Sequence, residues 1–319
     1  MMNSNITQEQ LLQAKETLTN LVHKTPVLSS EVIDKKVGAD LYFKCENFQK
    51  TGSFKFRGAS YAVSRLGSDQ KKNGVTTHSS GNHGQALAKA AQLAGIRAYI
   101  VMPENAPTVK KQAVKGYGAE VIICESTQAA REKTCRDIQE KTGATFTPPY
   151  DHENIVIGQS TASQELFEQT DNLDYLLAPV GGGGLLSGAL LAAKFFSPTT
   201  KVIGSEPLGA DDAYRSIKAG KRLPQENPQT IADGLRTSLG EINFEIISEN
   251  IDQILTAKED TIIEALKMMH HHLKIMAEPS CALPLATILE NKSMFEGKKV
   301  GIIISGGNVD LDVYYESLK

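Results

Sequence analysis

The sequence predicts an α/β fold of two lobes with parallel-rich sheets. Three observations carry this. Short apolar strand patterns alternate with helical ones, glycine and serine crowd the strand-to-helix junctions, and 319 residues are more than one core usually holds. In chain order, Thr7 and Gln10 are spaced as a capping box, and Leu11, Ala14, Leu18, Leu21 and Val22 then share one helical face. A strand over Asp40–Cys45 leads into Lys50-Thr51-Gly52-Ser53-Phe54-Lys55-Phe56-Arg57-Gly58-Ala59 and an alanine-containing helix. A second strand, 74–78, meets Ser79-Ser80-Gly81-Asn82-His83-Gly84 before a helix from Gln85. Strand 97–102, helix 107–114 and strand Glu120–Cys124 complete a βαβ run, and Pro148-Pro149 is the sharpest break in composition. Strand 175–180 precedes Gly181-Gly182-Gly183-Gly184, and strand 202–205 precedes an acidic loop. A helical pattern from Ile262 runs through Leu273 and Met276, and residues 302–304 form a last apolar strand.

Composition narrows the function. The formal net charge is −3 with the signs scattered, so no basic face argues for nucleic acid. Cys45, Cys124, Cys135 and Cys281 lie far apart without a C-x-x-C, which favours a reducing, cytoplasmic setting over a disulfide framework. Residues 1–7 lack a basic-then-apolar leader, and no apolar run approaches bilayer length, so no membrane partner is expected.

Four segments carry chemistry. Lys55, between two phenylalanines at a helix start, is held near apolar walls and the positive end of a helix dipole. Both disfavour the ammonium and lower its pKa. The free amine is the form that condenses with an aldehyde to give a Schiff base, although most lysines are solvated surface charges. Glycines around Asn82 let backbone N–H groups approach a ligand closely, or simply make a turn. Four glycines between a buried strand and a helix form a nest suited to phosphate, with no Walker lysine and no dinucleotide fingerprint beside them. Ser305 places a neutral hydroxyl at a strand's carboxyl end.

Together these motifs resemble the fold type II (tryptophan-synthase-β-like) pyridoxal-phosphate enzymes, close to the serine racemase and serine/threonine dehydratase family. The likeness runs from His23-Lys24-Thr25-Pro26 to Ser305-Gly306-Gly307-Asn308. It implies that Lys55 carries pyridoxal 5′-phosphate, Phe54 packs on its ring and Asn82 bonds the ring 3′-oxygen. Gly181 to Gly184 would hold the phosphate, and Ser305 would face the pyridine nitrogen. It implies substrate contacts from Ser79, Ser80, His83 and Arg131, and a homodimer. It also implies a small lobe of residues 51–148 inserted into a large lobe of residues 1–50 and 149–319.

A neutral serine at the pyridine nitrogen does not hold it protonated as a carboxylate would. That suits reactions relieved by prompt loss of a β-group, such as conversion of serine or threonine to a 2-oxo acid and ammonia. Threonine dehydratases resemble Ser-Ala-Gly-Asn-His where this chain has Ser80. The resemblance thus implies a second acid–base group facing Lys55 across the α-carbon, and interconversion of L- and D-serine beside dehydration. Dehydratases of 3-hydroxyaspartate share Ser-Ser-Gly-Asn-His and need a further cation, for which Arg131 and Arg215 are available. β-Replacement enzymes carry threonine where His83 stands. A non-catalytic amino-acid-binding regulator would not need Lys55, Asn82, the tetraglycine and Ser305 together.

Adjacent residues His270, His271 and His272 point to different helix faces and do not suit one metal ion. The loop Glu206-Pro207-Leu208-Gly209-Ala210-Asp211-Asp212 reads on sequence alone as a solvated acidic turn. The resemblance instead implies Mg2+ or Ca2+ (or Mn2+) held by Glu206, the Ala210 carbonyl and Asp212. Lys50, Thr51, Gln85 and Tyr117 stand where animal racemases bind ATP between subunits. His272 replaces an arginine of that set, which weighs against nucleotide activation. No C-terminal regulatory domain is expected after Lys319, hence no isoleucine feedback.

Overall fold

The computed structural model describes residues 6–106 and 108–317; Pro107, at the expected start of a helix, and residues 1–5 of the expected leaderless N-terminus lie outside the described residues. The capping box closes as read. Thr7 Oγ1 accepts from Gln10 N at 3.3 Å, Gln10 Oε1 accepts from Thr7 N at 2.8 Å, and the helix Gln8–Leu18 buries Leu11, Ala14 and Leu18.

Ten strands form two sheets among the described residues. They are β1 (Val27–Leu28), β2 (Asp40–Cys45), β3 (Val75–His78), β4 (Ala98–Pro103), β5 (Glu120–Cys124), β6 (Thr145–Phe146), β7 (Tyr175–Pro179), β8 (Lys201–Pro207), β9 (Gln253–Ala257) and β10 (Lys299–Ile304). The larger sheet has the order β1-β2-β10-β7-β8-β9, and only its β1–β2 pair is antiparallel. The smaller, β5-β4-β3-β6, is parallel throughout and comes from one stretch of chain. Parallel strands covered on both faces need near-continuous apolar runs, and Leu176, Leu177 and Ala178 in β7 and Ile302, Ile303 and Ile304 in β10 are fully buried. β10 lies between β2 and β7, with Val300 opposite Leu41 on one side and Tyr175 on the other.

Two expectations change. The helix after β3 begins at Asn82 rather than Gln85, so Asn82 and His83 belong to its first turn. The helical pattern expected through Met276 stops earlier. The helix Glu259–Met268 widens into a π turn, Met269–Leu273, and closes at Lys274 in the left-handed region (φ +59°). Ile275 and Ala277 then turn into the core and leave Met276 exposed. The three histidine rings diverge, with neighbouring centroids 5.7 and 6.3 Å apart, and His270 Nδ1 lies 3.3 Å from the Tyr314 hydroxyl. Among the described residues no helix is long and apolar enough to cross a membrane, and all four cysteines are free and buried.

A buried charge network ties the helix Lys55–Ser64 to both of its supports. The Arg57 guanidinium grips Glu46 (Nε–Oε2 2.7 Å, Nη2–Oε1 2.8 Å) and Glu165 (Nη1–Oε1 2.7 Å, Nη2–Oε2 2.8 Å). Lys44 Nζ of β2 reaches the same Glu165 at 2.6 Å, and Thr25 Oγ1 donates to Glu46 Oε1 at 2.6 Å. Arg57, Glu46 and Lys44 are wholly buried. Two cations thus face two anions, and the bidentate geometry offsets much of the desolvation cost. Although burial works against it, the Arg57 charge holds the Glu46 carboxyl below its ordinary range. Removing Arg57 leaves buried Glu46 without its paired cation and Glu165 with Lys44 alone. Arg57→Ala is predicted to lower unfolding free energy by roughly 3–5 kcal/mol in denaturant titration, and a loss near zero would show that the network is not stabilising.

Candidate active site

The carboxyl ends of β3, β7 and β10 open onto one cavity of about 360 Å3, as parallel α/β sheets place their ligand sites. Lys55, Phe54, Ser79, Ser80, Asn82, His83, Arg131, Gly181 to Gly184 and Ser305 all line it. Lys55 is aimed there because the chain before its helix pairs with the end of β10. Phe54 N donates to Ser305 O at 2.9 Å, and Ser53 bridges Gly306.

Lys55 opens its helix and donates from Nζ to Pro149 O at 2.8 Å. Its aromatic neighbours are Phe54, 4.9 Å from Nζ to the ring centroid, and Tyr150, at 5.8 Å. Phe56, expected as a second wall, points instead into the core packed around Val75 and Ile100, because successive helix residues face different sides. Burial pulls the Lys55 ammonium down to about 8, opposed by the negative charge of Glu278.

Glu278 was not anticipated as a site residue. It precedes Pro279, which starts the helix Pro279–Glu290, and sequence marks it only as a helix boundary. It is 6% exposed and lines the cavity. Both of its oxygens accept from Asn82 Nδ2, at 3.1 and 3.0 Å, while Asn82 Oδ1 accepts from Asn308 Nδ2 at 2.9 Å. This acceptor–donor pair fixes the amide so that its nitrogen, not its oxygen, faces Glu278. Burial pushes the Glu278 carboxyl up to about 7 despite those bonds. His83 is 3% exposed, and its Nε2 lies 2.9 Å from Thr147 O. A carbonyl only accepts, so Nε2 carries the proton. Burial, then the Lys55 charge, takes the ring down to about 3, which makes His83 a neutral group and not an acid.

The tetraglycine lies between β7 and the helix Gly184–Phe196. Gly183 sits at φ +91°, and a Cβ there would come within 2.6 Å of Leu239 Cδ1; a Cβ on Gly182 would overlap the Tyr150 ring. Ser305 Oγ lies 3.3 Å from Cys281 Sγ. Of the two arginines considered for a second substrate carboxylate, Arg131 lines the cavity beside Lys110 and His78, and its Nε is buried without a partner. Arg215 does not line it; its Nε bonds Asp211 Oδ1 at 2.8 Å.

The acidic loop is no solvated turn. Glu206, at the end of β8, and Asp212 are both fully buried. Glu206 Oε1 and Oε2 accept from Ala213 N (3.1 Å) and Tyr214 N (2.7 Å), Asp212 Oδ2 accepts from Leu239 N (2.8 Å), and Asp212 Oδ1 has no partner. Burial raises both carboxyls, Asp212 to about 6.

A half-buried amine with a lowered pKa on the same cavity as a side-chain-free glycine loop defines a site for an anionic aldehyde. The chain belongs to the pyridoxal-phosphate dependent enzyme family, whose profile matches residues 18–306. Among its relatives, a serine racemase of Dictyostelium discoideum is 49% identical over 311 residues, 96% of each chain. A beta-hydroxyaspartate dehydratase of Paracoccus denitrificans is 45% identical over 306 residues, 96% of this chain and 97% of that protein. The crystal structure of the Dictyostelium serine racemase superposes with a TM-score of 0.92 at 48% identity, covering 96% of this chain and 99% of that one. The residues present fit pyridoxal phosphate: the glycine cradle leaves no room for side chains, and the half-buried Lys55 amine lines the same cavity.

The Glu278 carboxylate favours the Lys55 ammonium, so removing its charge takes the amine further below about 8. Glu278→Gln should therefore shift the pH profile for capture of pyridoxal by the cofactor-stripped protein to lower pH, followed by absorbance. A midpoint at or above the parent's would refute the coupling.

Proposed function

We propose that this enzyme interconverts L- and D-serine and eliminates water and ammonia from L-serine, and from L-threonine, to give the 2-oxo acid. The observation that carries this reading is the placement of Lys55 and Ser80 on one cavity in a chain so similar to a serine racemase. In this reading Lys55 carries the cofactor, Phe54 packs on its ring, Asn82 bonds the ring oxygen, Gly181 to Gly184 hold the phosphate and Ser305 faces the ring nitrogen. When bound, the cofactor withdraws electrons from the substrate α-carbon and acidifies its proton. Lys55, whose ammonium burial brings down to about 8, takes that proton on one side, and Ser80 returns or takes one on the other. Ser79 and the neutral His83 help to hold the amino acid. The segment 51–148 acts as the small lobe that covers it.

A second reading, dehydration of 3-hydroxyaspartate, is supported by Arg131 and Lys110 on the cavity wall, where a β-carboxylate would find cations. Both readings are tested by one substrate panel on the parent and on Ser80→Ala, with chiral chromatography and 2-oxo acid assays. Ser80→Ala is predicted to lose D-serine formation and action on D-serine while keeping pyruvate formation from L-serine. Undiminished D-serine production would refute the role of Ser80, and oxaloacetate as the dominant product would favour the second reading.

Glu206, the Ala210 carbonyl and Asp212 are proposed to bind Mg2+, Ca2+ or Mn2+ as a support for the large lobe. Two buried carboxylates, one oxygen of which is unpartnered, fit a hard cation. Chelator should lower the melting temperature, Glu206→Ala should mimic it, and added ion should restore only the parent, because a ligand of the native state stabilises by mass action. Indifference to chelator and ion would exclude the site. A homodimer, which sedimentation velocity would count directly, and a cytoplasmic setting complete the reading. ATP binding through Lys50, Thr51, Gln85 and Tyr117 is not part of it, given His272.

A further inference from the structure

The tetraglycine does not hold its own shape. Glycine peptides rotate freely, so a loop of four presents N–H groups to a ligand only if something outside fixes its carbonyls. One side chain does this. Asn243, fully buried on the helix Glu241–Asn250, donates from Nδ2 to Gly182 O at 2.8 Å and reaches Tyr150 O at 3.2 Å. Gly240 N adds a second bond to Gly182 O at 3.1 Å. The start of that helix is clamped in turn by Asp151, whose carboxylate accepts from Glu241 N (2.9 Å) and Ile242 N (3.0 Å).

Asn243 is not among the residues lining the cavity, so the Gly182 carbonyl is drawn away from it. No cis peptide bond occurs among the described residues, and in a trans unit C=O and N–H point in opposite directions. The Gly183 N–H therefore points away from Asn243, and Gly183 itself lines the cavity at the foot of a 13-residue helix whose dipole favours an anion there. We propose that Asn243 is a positioning residue: by holding Gly182 O and Tyr150 O it aims the Gly182–Gly183 peptide at the phosphate of the cofactor. This rests on the reading that the tetraglycine binds that phosphate.

The test compares two probes on the full chain stripped of cofactor, pyridoxal 5′-phosphate and pyridoxal, which differ only in the phosphate. Affinities are read by absorbance titration for the parent, Asn243→Leu (similar volume, no donor) and Asn243→Ser (too short to reach). Both variants are expected to weaken pyridoxal 5′-phosphate about tenfold or more while leaving pyridoxal unchanged, as loss of an aimed bond to a charged group implies. The ratio of the two affinities is taken within one preparation, so a partly unfolded fraction cancels. Equal weakening of both probes, or of neither, would overturn the role of Asn243. A parent that binds pyridoxal as tightly as its phosphate would instead overturn the tetraglycine reading itself.

Discussion

The Arg57 guanidinium is the tie on which the site depends. It lies two residues after Lys55 on the same helix and is held by carboxylates from two other elements, so it fixes where that helix starts and how it is rolled. Burying four charges is costly, and apolar packing of equal volume often serves stability as well. What apolar packing lacks is direction. A planar fork gripping two carboxylates admits one orientation, and with it one direction for the neighbouring amine.

The same economy of charge governs the cavity. Lys55 and Glu278 line the same cavity, and burial drives both toward neutrality, the lysine downward and the glutamic acid upward. Their attraction opposes that drift, leaving both groups poised close to neutral pH. His83 is kept neutral by burial and the nearby Lys55 charge, with its Nε2–H held by the Thr147 carbonyl.

Much of this was legible in the sequence. The βα alternation, the capping box at Thr7 and the three strand-end motifs are local patterns, and they lie where read except that Asn82 and His83 enter the following helix. Lys55, Asn82, the tetraglycine and Ser305 meet because parallel strands deliver their carboxyl ends to one edge. What escaped was non-local or depended on rotation about a helix. The partners of Arg57 lie 11 and 108 positions away, the amide that sets Asn82 faces a glutamate 196 positions away, and Phe56 turns from the lysine that it follows. The left-handed residue at Lys274 carries no glycine to announce it, so the helix end near Met276 was misplaced.

The position of β10 bears on how the molecule is made. It is the last strand among the described residues, yet it sits inside the larger sheet, between β2 and β7. Until it is synthesised, β2 and β7 have no shared neighbour and present open edges. The smaller sheet, drawn from one continuous stretch, is free to form while the ribosome is still at work, whereas the larger one waits for residues near 300. A nascent chain halted before that point would display two apolar strand edges, the surface that chaperones bind and that aggregation exploits.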